Sequence, residues 1–249
     1  MNSALALLVA APIVGSFLGV VIQRLPDGGQ IVGGRSKCPH CGVALAARDL
    51  VPVASWLAAR GRCRYCAAWL GCFYPGVELA SMAIALISLA VDRGVMAWID
   101  WAFGCWLLTL GWIDLRRWIL PDALTLPLIF AGMAVTWEFS HGDWHDRSAG
   151  VVCGFLFLWG VAACYRYWRG RDGLGLGDAK LFAACGAWVG LSGLPSVLLA
   201  AAVAALLTAG AMRLAGKEIG RHSALQFGPF LAAGGWAVWL FGPLAFSGG

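Results

Sequence analysis

Two carboxylates and four thiols are the groups in this chain whose placement could do chemistry. Asp178 lies in Gly175-Leu176-Gly177-Asp178-Ala179-Lys180, where the polar, arginine-rich stretch 166–172 gives way to the apolar run opening Leu181-Phe182-Ala183. Asp114 closes an earlier apolar run, 101–113, just ahead of Arg116 and Arg117. An ionisable side chain at the lip of a membrane helix is costly, which makes it a functional candidate. Two such acids can share one proton, the equipment of an aspartyl protease. The plain structural account is that each acid marks a helix end. Gly175 and Gly177 let the backbone ahead of Asp178 bend and come close to another segment. The thiols form two knuckles, Cys38-Pro39-His40-Cys41 and Cys63-Arg64-Tyr65-Cys66, spaced C-x2-C-x21-C-x2-C. Four thiolates so arranged close a tetrahedral structural zinc site. The central gap is one residue longer than the usual ribbon range, which a loop absorbs. A pair of disulfides or a redox couple is the competing reading.

These groups need elements to hold them. The chain has 249 residues, 60% hydrophobic and only 12% charged, with a mean hydropathy of +0.76. Soluble domains carry about twice that charge, so the expected class is an all-α polytopic membrane protein. Spans are expected at 4–22, 75–91, 97–114, 120–137, 148–165, 179–193, 195–214 and 228–246, about eight in all. Ser192-Gly193-Leu194-Pro195 is taken to separate the sixth from the seventh. The first lacks a basic n-region and reads as a retained span, not a cleaved signal.

Basic residues test this division. Of the 18 Lys and Arg residues, all but Arg93 and Arg147 fall after odd-numbered spans. The positive-inside rule makes that side cytoplasmic and places both termini outside. Asp114 and Asp178 then share the cytoplasmic face and can meet. The net charge of +5 is explained by location and is no nucleic-acid footprint. The cysteine loop is cytoplasmic too, where thiols stay reduced, which favours zinc over disulfides. A segment of about 50 residues buries little core alone, so a metal staple has a physical purpose. The expected division is 1–23 as the first span, 24–74 as the zinc-knuckle loop domain and 75–249 as the membrane domain that carries the acids.

Other residues read two ways. Pro121 and Asp122 suit the first turn of a helix. Lys180 either tunes the acids or binds substrate, or it snorkels as a cytoplasmic anchor. His141 and His145 form a weak outer-face metal candidate or a polar loop. Cys72 is an extra thiol near the knuckles. Cys105, Cys153, Cys164 and Cys185 read as small hydrophobes in spans.

Six stretches in order resemble the bacterial type IV prepilin leader peptidases, membrane aspartyl proteases of the GxGD type. They are Gly15-Ser16-Phe17-Leu18-Gly19 through Gln23-Arg24-Leu25-Pro26, the cysteine loop with Asp49-Leu50-Val51-Pro52 between its knuckles, Tyr74-Pro75-Gly76-Val77-Glu78-Leu79, Asp114 with Ile119-Leu120-Pro121-Asp122, Gly175 to Lys180, and Phe227-Gly228-Pro229-Phe230-Leu231. Two positions depart: Gly19 stands where the family usually has Asn, and Gly76 where an aliphatic residue is common. Both lie in the half associated with methyl transfer.

The resemblance implies Asp114 and Asp178 as the catalytic pair, with Gly175, Gly177, Lys180, Pro121 and Asp122 in the active-site loops. It implies an inner-membrane endopeptidase that cuts the basic leaders of prepilins or pseudopilins after a Gly, serving a type IV pilus or type II secretion. N-methylation of the new terminal Phe from S-adenosylmethionine would follow, and this is attributed to the cysteine-loop half. Glu78 would be an auxiliary acid for that step, or simply a carboxylate at a helix start. No glycine-rich nucleotide loop follows a strand pattern. A peptidase without methyl transfer is one alternative. An ion-coupled transporter using the two acids is another, although the halves lack repeat symmetry and the cysteine loop has no part in it. A non-catalytic membrane scaffold organised around the zinc loop is a third reading. The implied partners are prepilin-type substrates and the lipid bilayer.

Overall fold

A computed structural model describes residues 3–31, 33–139, 143–170, 174–216 and 226–244. Helices are α1 (Ser3–Arg24), a short α2 (Ala54–Ala58), α3 (Phe73–Val91), α4 (Val95–Arg117), α5 (Asp122–Phe139), α6 (Trp144–Arg169), α7 (Leu176–Leu214) and α8 (Gly228–Phe241). Among the described residues no named strand occurs, only the isolated bridges Lys37–Ala44 and Arg62–Trp69. The all-α, multi-pass expectation holds. Six helices are long and apolar enough to cross a membrane, and α8 is a shorter apolar one.

Against the eight spans expected, the difference lies in α7, one long helix interrupted by a kink, and in the short α8. Gly190, at φ 77° and ψ 173°, leaves helical geometry inside the 39 residues of α7. The break therefore falls at Gly190, ahead of the expected Ser192–Pro195 separator. Gly takes a positive φ freely, and Pro195 falls inside the second half, one turn beyond the break. The last span is shorter than expected. Its helix stops at Phe241, where Gly242 turns at φ 80°. Pro121 sits just outside α5, its carbonyl accepting the N–H groups of Leu124 and Thr125.

The chain divides into two compact units, Met1–Cys105 and Trp106–Gly249. In the first, α1 packs on α3 closely enough that a Cβ on Gly15 would lie 2.8 Å from the Glu78 Cα. The Ser81 hydroxyl donates to the Ala11 carbonyl at 2.7 Å, a buried bond that joins the two helices where no water can substitute. In the second unit α6 lies along α7. A Cβ on Gly150 would meet the Gly186 carbonyl at 2.8 Å, so these backbones approach as only glycine allows.

Candidate functional site

Asp114 lies in the last turn of α4, 7% exposed. The Gly228 backbone hydrogen-bonds its carboxylate. The Gln226 side-chain amide donates to its carbonyl at 2.9 Å. Asp178 stands in the first turn of α7 with Gly175 as the N-cap. Gly175 N–H donates to its Oδ2 at 3.3 Å, and Asp178 N–H returns to the Gly175 carbonyl at 3.1 Å. An anion there faces the positive end of the helix. The two carboxylates are near enough that Asp178 acts electrostatically on Asp114. Two acids 64 positions apart in the chain thus lie within electrostatic reach, each accepting a backbone N–H.

The flanking residues fall into one further contact. Lys180 Nζ pairs with Asp122 Oδ1 at 2.6 Å, tying the start of α7 to the start of α5. Asp122 is half exposed, so the pair contributes at most about 1 kcal/mol; its value is positional. Gly177 lies against Leu120, where a Cβ would come within 3.0 Å of the Leu120 Cβ. Gly175 has no such crowding: an added Cβ meets nothing closer than 3.6 Å. Of the two glycines before Asp178, Gly177 serves close approach and Gly175 serves as the cap.

Sequence reasoning passed over Gly228 and Gln226. Its only signal was the Phe227-Gly228-Pro229 helix start, read as a span entry. In the structure a Cβ on Gly228 would sit 2.6 Å from Asp114 Oδ2. The absent side chain is what lets the α8 backbone reach the acid.

The cysteine loop is a second site, in the first unit. Its knuckles repeat one geometry. Cys38 N–H bonds the Val43 carbonyl and Gly42 N–H returns to Cys38; Cys63 N–H bonds Ala68 and Ala67 N–H returns to Cys63. Gly42 (φ 71°) and Ala67 (φ 57°) both take the left-handed turn. All four ligand-capable Sγ atoms lie within 4.8 Å of one another, and Cys38 and Cys66 are 3.9 Å apart. Thiolates about 2.3 Å from a tetrahedral zinc would stand about 3.8 Å apart, so the donor set and spacing fit a metal ion. Backbone N–H groups of Cys41 and then His40 pull the Cys38 thiol down to about 6. The Ala68 N–H pulls the Cys66 thiol down as well, but local desolvation and the three neighbouring thiols outweigh it and push that thiol up to about 12. Without a cation, one thiolate suppresses the others. His40 is engaged elsewhere, its Nε2 bonding the Trp69 carbonyl at 3.1 Å.

Glu78 is 5% exposed and accepts the Val53 N–H at 2.7 Å. It lies beyond the first turn of α3, which opens at Phe73, so the helix-start account of it does not hold. It clamps the cysteine loop where Val53 turns at φ 58°. At Gly19 the Tyr74 ring occupies the side-chain space, its Cδ1 within 2.7 Å of a built Cβ, and Tyr74 Oη donates to Gln23. Gly76 faces open space. His145 begins α6 exposed; His141 lies outside the described residues.

Comparison with known proteins places the chain in a family. Residues 9–91 match the bacterial peptidase A24 N-terminal domain, and 101–210 match the type IV leader peptidase family. A prepilin leader peptidase/N-methyltransferase of Burkholderia pseudomallei is 41% identical over 265 aligned positions, covering 94% of this chain and 84% of that protein. The chain belongs to this family. The family's Aeromonas hydrophila member is 36% identical, with 92% and 87% covered, and its Pseudomonas aeruginosa member 35% identical, with 92% and 87% covered. No solved structure matches the chain. Family membership leaves no place for an ion-coupled transporter, and it makes this chain a membrane enzyme.

Proposed function

We propose that this chain is an inner-membrane aspartic endopeptidase that removes the basic leader of prepilins or pseudopilins after a glycine, with Asp114 and Asp178 as the catalytic pair. The observation that carries this is the electrostatic reach between the carboxylate at the end of α4, held by the start of α8, and the one at the start of α7. Close carboxylates share one proton and act as a single unit. The ionised member takes a proton from water as it attacks the scissile carbonyl. The protonated member gives its proton to that carbonyl oxygen and recovers it as the adduct collapses, while the proton taken from water passes to the leaving amine. The backbone N–H groups of Gly175 and Gly228 orient the acids without adding charge. The charge bias of the loops supports a cytoplasmic active site, matching a substrate whose basic leader stays in the cytoplasm.

The same reading gives the chain a second step, N-methylation of the new terminal Phe, on the strength of its relatives' name. S-adenosylmethionine is the proposed donor; no residue is assigned to hold it. Zinc on Cys38, Cys41, Cys63 and Cys66 would staple the loop structurally, closed to substrate by its four protein ligands.

The deciding experiment gives detergent-purified protein a prepilin-type peptide and S-adenosylmethionine and weighs the products. Cleavage after the leader glycine by wild type and not by Asp178→Asn is the expected result, with one methyl gained on the new terminus. Intact substrate with folded wild type would refute the peptidase. Gly228→Ala tests the unforeseen contact. Its methyl must push the Asp114 carboxylate aside, and a misplacement of that order costs about 100-fold in turnover. Unchanged turnover in this variant would show that the α8 backbone does not set the acid's position.

A further inference from the structure

The broken helix α7 carries Asp178 on its first half, which is short and ends inside the membrane domain. A helix end leaves carbonyls without partners, and in lipid each costs several kcal/mol unless something satisfies it. At the end of the first half the Trp188 carbonyl accepts from the Arg147 guanidinium. That guanidinium is 13% exposed, lies 5.4 Å over the Trp239 ring and is 3.9 Å from Asp143. On the other side of the break, Asp146 Oδ2 accepts the Ser192 hydroxyl at 3.2 Å and lies against Gly190, where any Cβ would collide with it. Neighbouring residues of α6 therefore address both ends of the break. The cation meets the negative C-terminal end of the first half, and the anion meets the positive start of the second.

The contact extends beyond α6. The Trp188 indole donates to the Leu128 carbonyl of α5 at 3.0 Å, and its ring meets Trp239 of α8 edge-on at 5.3 Å. Gly132 leaves room for it: a Cβ there would lie 2.7 Å from the Trp188 ring. Trp188 is ten residues beyond Asp178, about 15 Å along a straight helix. A rigid rod held there fixes the height and rotation of its other end.

We propose that Asp146 and Arg147 are positioning residues for the peptidase reaction: they lock the break at Gly190 and so set where the first half of α7 presents Asp178. Arg147 is thereby accounted for on the side of the membrane that holds only one other basic residue. The inference rests on the peptidase reading above, and the test separates the two.

Arg147→Met keeps much of the stem's packing and removes the cation. With Asp178 displaced by a fraction of an ångström to an ångström, kcat should fall about 10- to 100-fold while KM stays within about twofold. Arg147→Lys, which keeps a donor for the Trp188 carbonyl, should recover most of the loss. Each variant is measured on folded, monodisperse protein beside wild type and Asp178→Asn. Wild-type kcat in folded Arg147→Met, or a loss confined to KM, overturns the clamp. Cleavage by Asp178→Asn would instead overturn the peptidase assignment, whatever Arg147 does. If Arg147→Met does not accumulate folded, Asp146→Asn takes its place. A several-fold fall in kcat at constant KM is then expected, and an unchanged kcat overturns the proposal.

Discussion

Alanine at Asp114 or at Asp178 is expected to lower leader cleavage at least about 10⁴-fold, and the double variant should be no worse than either single one. The reason is that neither acid works alone. One must be charged to activate water and the other protonated to polarise the carbonyl, and each protonation state depends on its neighbour. Removing either member leaves a lone carboxyl with one role and no partner. The loss should not come from unfolding. Among the described residues the Asp178 carboxylate bonds its own cap at Gly175, and Gly175 keeps its backbone bond to residue 178 without it. Single-turnover cleavage of a prepilin-type peptide, with circular dichroism on each variant, checks this. Additive losses in the double variant would mean that the two acids act independently, and the shared-proton mechanism would fall.

The second large effect is expected at the cysteine loop. Wild type purified under reducing conditions should carry about one zinc per chain, and Cys38→Ser or Cys63→Ser should carry close to none. Those two thiols are buried, at 2% and 3% exposure, whereas Cys41 and Cys66 are exposed. A structural zinc is worth about 10–16 kcal/mol in small domains. The contacts that remain are mostly short-range or exposed, among them the Trp56–Trp69 edge contact at 5.7 Å, the Arg64–Asp49 ion pair at 3.1 Å and the clamp of Val53 by Glu78. The loop should therefore open when the metal leaves. Elemental analysis reads the metal, and limited proteolysis should cut between residues 38 and 66 in the variants only. Both acids belong to the other compact unit, so leader cleavage should survive while methyl transfer is lost. A metal-free wild type would remove the zinc assignment, and cleavage lost with the metal would show that the two units depend on each other.

Much of this was legible along the chain because its causes are local. A span announces itself as an apolar run, and a zinc knuckle as two cysteines with a tight turn between them. The two acids stand out because carboxylates are rare in such runs. The break in α7 was legible only to within a few residues. Gly190, Gly193 and Pro195 all carry helix-breaking signals, and propensity alone does not rank them. Asp146 and Arg147 on α6 select Gly190 by meeting both ends of the break there. The helix-start account of Glu78 failed for a similar reason. Its role depends on a backbone N–H twenty-five residues earlier, at Val53, and not on the helix that carries it.

The sequence by itself determined the class of protein, the apolar segments, the four-thiol cluster and which two acids stand at membrane boundaries, since each follows from composition or spacing within a short window. Only the tertiary structure decided that Lys180 is held by Asp122, that Gly228 brings a backbone donor to Asp114, and that α6 locks the half-helix bearing Asp178. Those contacts join residues far apart in the chain, and their geometry depends on how closely glycine-lined helices pack.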